Sequence, residues 1–342
     1  MENMAIFANT LIKSLAIFIS FLLIIVVTTS FLSLLNNQNK SDFVFTSGNK
    51  NSTNIIAIIE LNGVIINNNT KLNGLTNSFV ISPNEVKKYL EELNNISPKV
   101  IIFAINSPGG TVSASKHLYE VINKFKKNNN AEIFFHSDEL LASGGYWAAT
   151  SADKIYANYG SIIGSIGVKG PDWFFYDQPY SISTGIFGNR VETKKNIKKF
   201  SNTAGDSKDL FNPFREPSVV ELKHLQNMVD EIYNEFVRVV SSARKIETNT
   251  IIKDIGALIY TASQAKNINL IDAQINLSNL IAKTIQDREF IEYKIIKKFN
   301  DNSLIEEIFS GNLFKSNISL NYNCISLRNS ISTILSYESI GC

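Results

Sequence analysis

Ser143 stands in Ala142-Ser143-Gly144-Gly145, a serine followed at once by two glycines. A serine that attacks a carbonyl needs its hydroxyl exposed at a strand-to-helix turn, with a base in reach. It also needs preorganised N–H donors for the oxyanion that develops. The glycines let a substrate carbonyl come close to the backbone, and a helix starting at Gly145–Ala149 would aim its N-terminal amides at the site. The Gly144 N–H is one natural oxyanion donor. A second is expected from a neighbouring strand-end loop, and Asn106-Ser107-Pro108-Gly109-Gly110 supplies the candidate, with Gly109 and Gly110 as its tip. Taken alone, A-S-G-G suits tight helix packing equally well.

The base is less obvious. Of the three histidines, His117, His136 and His224, none falls between His136 and His224. A Ser-His-Asp arrangement with a nearby downstream histidine therefore has little material. Lysine is the alternative, provided burial and hydroxyl contacts keep its amine neutral. Lys208, in Ala204-Gly205-Asp206-Ser207-Lys208-Asp209-Leu210, precedes a long helical pattern. Lys194, Lys195, Lys198 and Lys199 compete with it, although four lysines in six residues read more naturally as a solvated face. The only cysteines are Cys324 and Cys342, and with the scattered histidines they make no zinc pattern.

The elements that must position these residues alternate. Ile55–Leu61 is an apolar run ended by Asn62-Gly63, and Lys87–Leu93 is helical in character. Val100–Ile105 is a second apolar strand leading into the Gly109-Gly110 loop. An amphipathic helix carrying Leu118, Val121, Ile122 and Phe125 follows, then a third strand, Ile133–Phe135, and the Ser143 turn. Alternating buried strands and helices predict an α/β fold with a mostly parallel sheet, whose strand-end loops form the site. Ser218-Val219-Val220-Glu221, after Pro217, is a capping box opening a long helix. Its stripe of Leu222, Leu225, Val229, Ile232, Phe236 and Val239 reads as core packing or a subunit contact. Past Asp287 the pattern fades, and a strand at Phe290–Ile296 and a short helix at Ser303–Phe309 are expected.

The chain has 342 residues, 33 basic and 31 acidic, for a net charge of +2, and is 44% hydrophobic. That composition is globular rather than disordered, and the balanced charge argues against a nucleic-acid binder. From Ser14 to Leu35 no charge occurs. These 22 residues would extend about 33 Å as a helix, enough for a hydrocarbon core of about 30 Å. An uncleaved membrane anchor is expected, because Thr28-Thr29-Ser30-Phe31 offers no A-x-A cleavage site. The expected organisation is a tail (1–13), an anchor (14–35), a polar linker (36–53), a catalytic domain (54–283) and a C-terminal extension without assigned role (284–342).

Taken together, these motifs resemble the S49 family of membrane-associated serine peptidases, which includes signal peptide peptidase A and SohB. The resemblance runs over about residues 54–283. It rests on Ile55–Gly63, Asn106–Gly110, Ala142–Ala157, Gly164-Ser165-Ile166-Gly167-Val168, Gly205–Pro213 and Ala262–Asp272. It implies a Clp/crotonase-like fold of repeated ββα units behind one N-terminal transmembrane helix. It also implies a Ser–Lys dyad of Ser143 and Lys208, an oxyanion hole from Gly110 and Gly144, and Ser165 orienting the lysine. No metal or cofactor is implied. Substrates would be remnant signal peptides and other apolar segments. The partners implied are membrane lipid around residues 14–35 and further copies in a homo-oligomer, an octamer by analogy, with the domain facing the periplasm. The stretch Val168–Thr203, with its Trp173–Asp177 aromatic cluster, looks longer than the family pattern, which keeps Lys198 and Lys199 open as the base. Two alternatives stand beside this reading: a crotonase-type acyl-CoA enzyme, and a catalytically silent membrane scaffold.

Overall fold

The structure, a computed structural model, describes residues 13–28, 43–67, 80–176, 183–185, 188–190 and 203–298. Residues 13–28 form helix α1. Its side chains are exposed, Ile17 at 71% and Phe18 at 62% among them. Two of its hydroxyls return bonds to the helix itself: Ser20 Oγ donates to the Ala16 carbonyl and Thr28 Oγ1 to that of Ile24, both at 2.8 Å. At about 1.5 Å per residue, the described part of α1 is shorter than a hydrocarbon core of about 30 Å. Among the described residues no helix is long and apolar enough to cross a membrane. The sequence-derived anchor continues to Leu35, and residues 29–35 lie outside those described.

The catalytic-domain sequence is built in the order β1 (Phe43–Gly48), β2 (Ile55–Asn62), β3 (Val64–Ile65), β4 (Val80–Ile81), α2 (Pro83–Ile96), β5 (Val100–Asn106) and α3 (Val112–Asn128). Then come β6 (Glu132–Ser137), β7 (Leu140–Ala142), α4 (Gly144–Ala149), β8 (Lys154–Ala157) and β9 (Ile162–Gly164). After β10 (Ser183–Gly185) and β11 (Gly188–Arg190), a short antiparallel pair, the long helix α5 covers Val219–Arg244. The remainder is α6 (Thr248–Thr250) with a π-turn at Ile251–Ile255, β12 (Ile259–Thr261), α7 (Ala262–Asn267), β13 (Ala273–Gln274), α8 (Leu277–Asp287) and β14 (Lys294–Lys298).

The main sheet has the order β1-β14-β2-β5-β6-β8-β13. Every neighbouring pair from β14 to β13 is parallel. The run Ile55–Leu61 is apolar throughout because a parallel sheet is covered on both faces, and Ile56, Ile59, Ile101, Ile102 and Phe103 are completely buried. Helix α3 crosses from β5 to β6 and buries Leu118, Ile122 and Phe125, as its periodicity predicts. Its cap is Thr111, whose Oγ1 accepts the Ala114 N–H at 3.3 Å. A second, three-stranded sheet, β12-β9-β7, stands at the carboxyl end of these strands and carries the loops of interest.

Three departures from the sequence reading have physical causes. The polar segment 36–53 contains β1, an edge strand in which Phe43 is buried while Val44 and Phe45 are exposed. Strand β14, within the extension past residue 283, is a member of the main sheet, pairing Ile296 with Ala57. The expected strand at Phe290–Ile296 therefore starts later and runs to Lys298. Third, the apolar stripe of α5 is not one continuous core face. Phe236, Val237, Val239 and Val240 are buried, whereas Leu222 and Met228 are about half exposed. The cap is as expected: Ser218 Oγ accepts the Glu221 N–H, and the Glu221 carboxylate accepts the Ser218 N–H. The C-terminal helix expected at Ser303–Phe309 lies outside the described residues, as do Cys324 and Cys342.

Candidate active site

Ser143 sits at the junction of β7 and α4 with φ 50° and ψ −124°. A non-glycine residue at positive φ costs of order 1–3 kcal/mol and persists only where its surroundings over-determine it. Those surroundings are visible. The Ser143 N–H donates to the Gly164 carbonyl at 2.9 Å, and the Ser143 carbonyl accepts the Trp147 N–H at 2.9 Å. Below it, Trp147 stacks on Phe236 of α5 with ring centroids 4.6 Å apart and planes 12° from parallel. The serine is thus pinned on a sharp strand-to-helix turn with its side chain half-buried.

The glycine loop after β5 reaches the same place. The Ser107 N–H donates to the Leu140 carbonyl at 2.7 Å, and the Ala142 N–H donates to the Ser107 carbonyl at 3.1 Å. These two bonds zip the loop to β7. Ser107 is completely buried, and its hydroxyl donates to the Gly63 carbonyl at 2.7 Å while accepting the Gly109 N–H at 3.1 Å. The approach is too close for side chains. A Cβ at Gly109, which has φ 100°, would lie 2.7 Å from the Gly144 nitrogen, and one at Gly144 would lie 2.0 Å from Ser115 Oγ.

On the outer side, Gly110 rests against β3. Ile65 donates to the Gly109 carbonyl at 2.8 Å and accepts the Thr111 N–H at 3.0 Å. This bridge uses the residues flanking Gly110 and leaves its own N–H free. The Gly144 N–H opens a helix and is unpaired for that reason. Neither N–H donates to another group among the described residues. A Cβ built on Gly144 would be 3.3 Å from the Gly110 nitrogen, so the two free donors are neighbours beside Ser143. That is the arrangement an oxyanion requires.

Ser165 continues from Gly164 with φ 53°, its N–H donating to the Leu258 carbonyl at 2.8 Å. The structure therefore gathers Ser143, Gly144, Gly110 and Ser165 around one turn. Lys208 is placed differently. It is exposed on the loop before α5, and among the described residues it makes no hydrogen bond or ion pair with Ser143. Lys194, Lys195, Lys198 and Lys199 lie outside the described residues. Neither alternative histidine serves as base. His136 is completely buried, its Nε2 donating to the Ile275 carbonyl at 2.9 Å. Burial pushes its pKa below the ordinary value and keeps it neutral. His224 is exposed on α5. No group of three or more potential metal ligands forms among the described residues.

The Lys208 loop is nevertheless firmly built. Arg215 donates Nε to Asp209 Oδ2 at 2.9 Å and Nη2 to Asp209 Oδ1 at 2.8 Å. It also reaches Glu221, with Nη1 to Oε2 at 2.9 Å and Nη2 to Oε1 at 2.7 Å. The guanidinium lies 5.3 Å from the centre of the Trp173 ring, which in turn packs on Phe211. Sequence reasoning missed this cluster. The signal available was Asp209-x5-Arg215-x5-Glu221, an acid, a base and an acid at equal spacing ending on the capping box.

With this geometry in view, relatives are informative. The model of peptidase family S49 matches residues 126–290, a span that holds Ser143, Ser165 and Lys208. Over that span the chain is similar to family S49. Similar curated proteins agree with this. "Putative protease MJ0651" of Methanocaldococcus jannaschii is 30% identical over 218 residues, covering 61% of this chain and 65% of that protein. "Putative signal peptide peptidase SppA" of Enterococcus faecium is 27% identical over 262 residues, or 75% of this chain and 70% of that protein. "Protease 4" of Haemophilus influenzae is 24% identical over 268 residues, 76% of this chain but 40% of that protein. The S49 match spans the Ser143 turn, the β9 loop and the Lys208 loop, but begins after the Gly110 loop, which the structure adds by contact.

Proposed function

We propose that this chain is a serine endopeptidase in which Ser143 is the nucleophile and Lys208 the general base. The observation that carries the reading is the pair of unpartnered N–H groups, on Gly110 and Gly144, flanking a serine held at positive φ. Ser143 Oγ attacks the scissile carbonyl and its proton passes to neutral Lys208 Nζ. The two N–H groups take the negative charge of the tetrahedral intermediate. The lysine ammonium then protonates the leaving amine, and water, activated by the same amine, hydrolyses the acyl-enzyme. No metal or cofactor enters these steps.

Lys208 reaches Ser143 from a neighbouring copy of the chain in a homo-oligomer, octameric by family analogy and with a Clp/crotonase-like protomer. The half-exposed Leu222 and Met228 on α5 support such a contact. Ser165 would orient the lysine amine from the β9 end. Membrane attachment through residues 14–35 is supported by the exposed apolar surface of α1 and by its self-bonded hydroxyls, and by family analogy the domain would face the periplasm. Substrates would then be signal-peptide remnants and other apolar segments near the bilayer.

The test is covalent labelling. A fluorophosphonate probe should modify the full-length chain at Ser143, identified by mass spectrometry of the tagged peptide, and Ser143→Ala should remove the label together with peptide cleavage. Labelling elsewhere, or cleavage that survives Ser143→Ala, refutes the assignment.

A further inference from the structure

The Lys208 loop is built of successive backbone turns, with the Leu210 N–H donating to the Ser207 carbonyl and the Asn212 N–H to that of Asp209, both at 3.0 Å, and one side chain ties these turns to α5. Arg215 has five N–H donors, and all five are engaged: Nε with Asp209, Nη1 with Glu221 and with the Glu216 carbonyl at 3.2 Å, and Nη2 with both carboxylates. Asp209 is the residue immediately after Lys208, and its Oδ2 also accepts from Asn212 Nδ2 at 3.1 Å. Glu221 is buried in the first turn of α5, where it closes the capping box. The guanidinium therefore ties the residue beside the lysine to the rigid start of a 26-residue helix. Its charged partners respond accordingly. The carboxyls of Asp209 and Glu221 are held well below the usual range, in each case chiefly by hydrogen bonds from Arg215. For Glu221 the Ser218 N–H adds to this, then the Ser207 hydroxyl next to Lys208.

This network costs ordering entropy in an exposed loop, and Glu221 links it to the cap of α5. Its geometrical consequence is a fixed path for residues 205–215 across Trp173. We propose that Arg215 is a positioning residue for the general base: it sets the direction in which Lys208 leaves the loop, through Asp209 on one side and Glu221 on the other. The inference rests on the Ser143–Lys208 reading above and adds to it a residue that touches neither substrate nor serine. A lysine at 215 would not replace it, because one ammonium cannot meet two carboxylates bidentately.

Full-length wild type is compared with Arg215→Gln, Arg215→Lys, Asp209→Asn, Lys208→Ala and the double variant Lys208→Ala/Arg215→Gln. The readouts are kcat and KM on a fluorogenic apolar peptide, and acylation of Ser143 by an activated aryl ester. A misplacement of about 1 Å costs on the order of 10²-fold in rate. Arg215→Gln is therefore expected to lower kcat by about 10- to 100-fold while KM stays within about twofold. Arg215→Lys should recover little of that loss. On the Lys208→Ala background, Arg215→Gln should slow acylation by less than about twofold, since the base it serves is already gone. The same penalty on both backgrounds would mean a merely structural role and overturn the proposal. So would a kcat within about twofold of wild type in Arg215→Gln. Should Arg215→Gln fail to fold, Asp209→Asn, which keeps the side-chain shape, must show the kcat loss, and wild-type turnover there overturns the proposal. Wild-type turnover in Lys208→Ala sinks the dyad reading and this inference with it, whereas a dead Lys208→Ala beside an unaffected Arg215→Gln sinks only the role of Arg215.

Discussion

Adding one methyl group at Gly110 should separate the oxyanion donors from the nucleophile. A Cβ there would sit 1.9 Å from the Ile65 carbonyl oxygen and 2.6 Å from the Ile65 nitrogen, both backbone atoms that no rotamer change can move. Ordinary contact begins near 3.4 Å, so the loop and β3 must part by about 1.5 Å. At about 10²-fold per ångström of misplacement, and about 10²–10³-fold for one lost oxyanion donor, Gly110→Ala should cut kcat/KM by about 10²–10³. The same retreat stretches two backbone bonds, Ile65 to Gly109 and Thr111 to Ile65. At about 1 kcal/mol each, the loss is about 2 kcal/mol, which lowers the thermal midpoint of a domain this size by about 4–8 °C. Steady-state cleavage of a fluorogenic peptide and a calorimetric scan measure both quantities on one preparation. If Gly110→Ala kept kcat/KM within about threefold of wild type while the midpoint fell as described, Gly110 would be a packing glycine and the oxyanion assignment would fail.

Three further outcomes follow from the packing. Gly144→Ala should inactivate the protein because its Cβ would meet Ser115 Oγ at 2.0 Å and Ser115 Cβ at 2.8 Å, and adding Ser115→Gly should restore much of the activity; no recovery in peptide cleavage would place the fault elsewhere. Phe236→Ala removes the ring beneath Trp147 and should destabilise by about 3–5 kcal/mol, read as a lower denaturation midpoint, with a change under about 1 kcal/mol counting against the Trp147–Phe236 anchor. His136 is held neutral in the fold, while in the unfolded chain it titrates near 6.5. Below that pH the unfolded state takes up a proton the folded state resists, so stability should fall as pH drops through 6.5 toward 5. His136→Gln, which can still donate to the Ile275 carbonyl, should flatten this part of the curve; an unchanged slope would assign it to other groups.

Much of the candidate site was legible in the chain because its requirements are local. A serine before two glycines, at the end of an apolar run, specifies a sharp turn, and the second glycine pair occupies the equivalent position after the neighbouring strand. The parallel Ser107–Leu141 bridge brings the two together, and the alternation of strands and helices did not show it because β7 is only 3 residues long. What sequence reasoning missed depends on partners far along the chain. Strand β1 is short and mixed because an edge strand buries one face at most, so Phe43-Val44-Phe45 carries little periodic signal. The exposure of Leu222 and Met228 was hidden because an apolar stripe looks the same whether its cover is this chain or another surface. The Arg215 cluster combines three charged residues, each unremarkable in an exposed loop, and only the fold reveals that one fork holds two carboxylates.

The position of β14 has a consequence for how the molecule is made. This strand lies between β1 and β2, so among the described residues the first strand of the sheet pairs with the last one rather than with its sequence neighbour. During synthesis β2 can pair with β5 as soon as that segment emerges, but its other edge stays bare until residue 298 has left the ribosome. Through that interval an apolar strand with unsatisfied amides is open to mispairing. Chains that end before Lys294 would keep that edge bare permanently. A fragment ending between 290 and 293 would contain the whole S49 match, residues 126–290, and still be prone to aggregate.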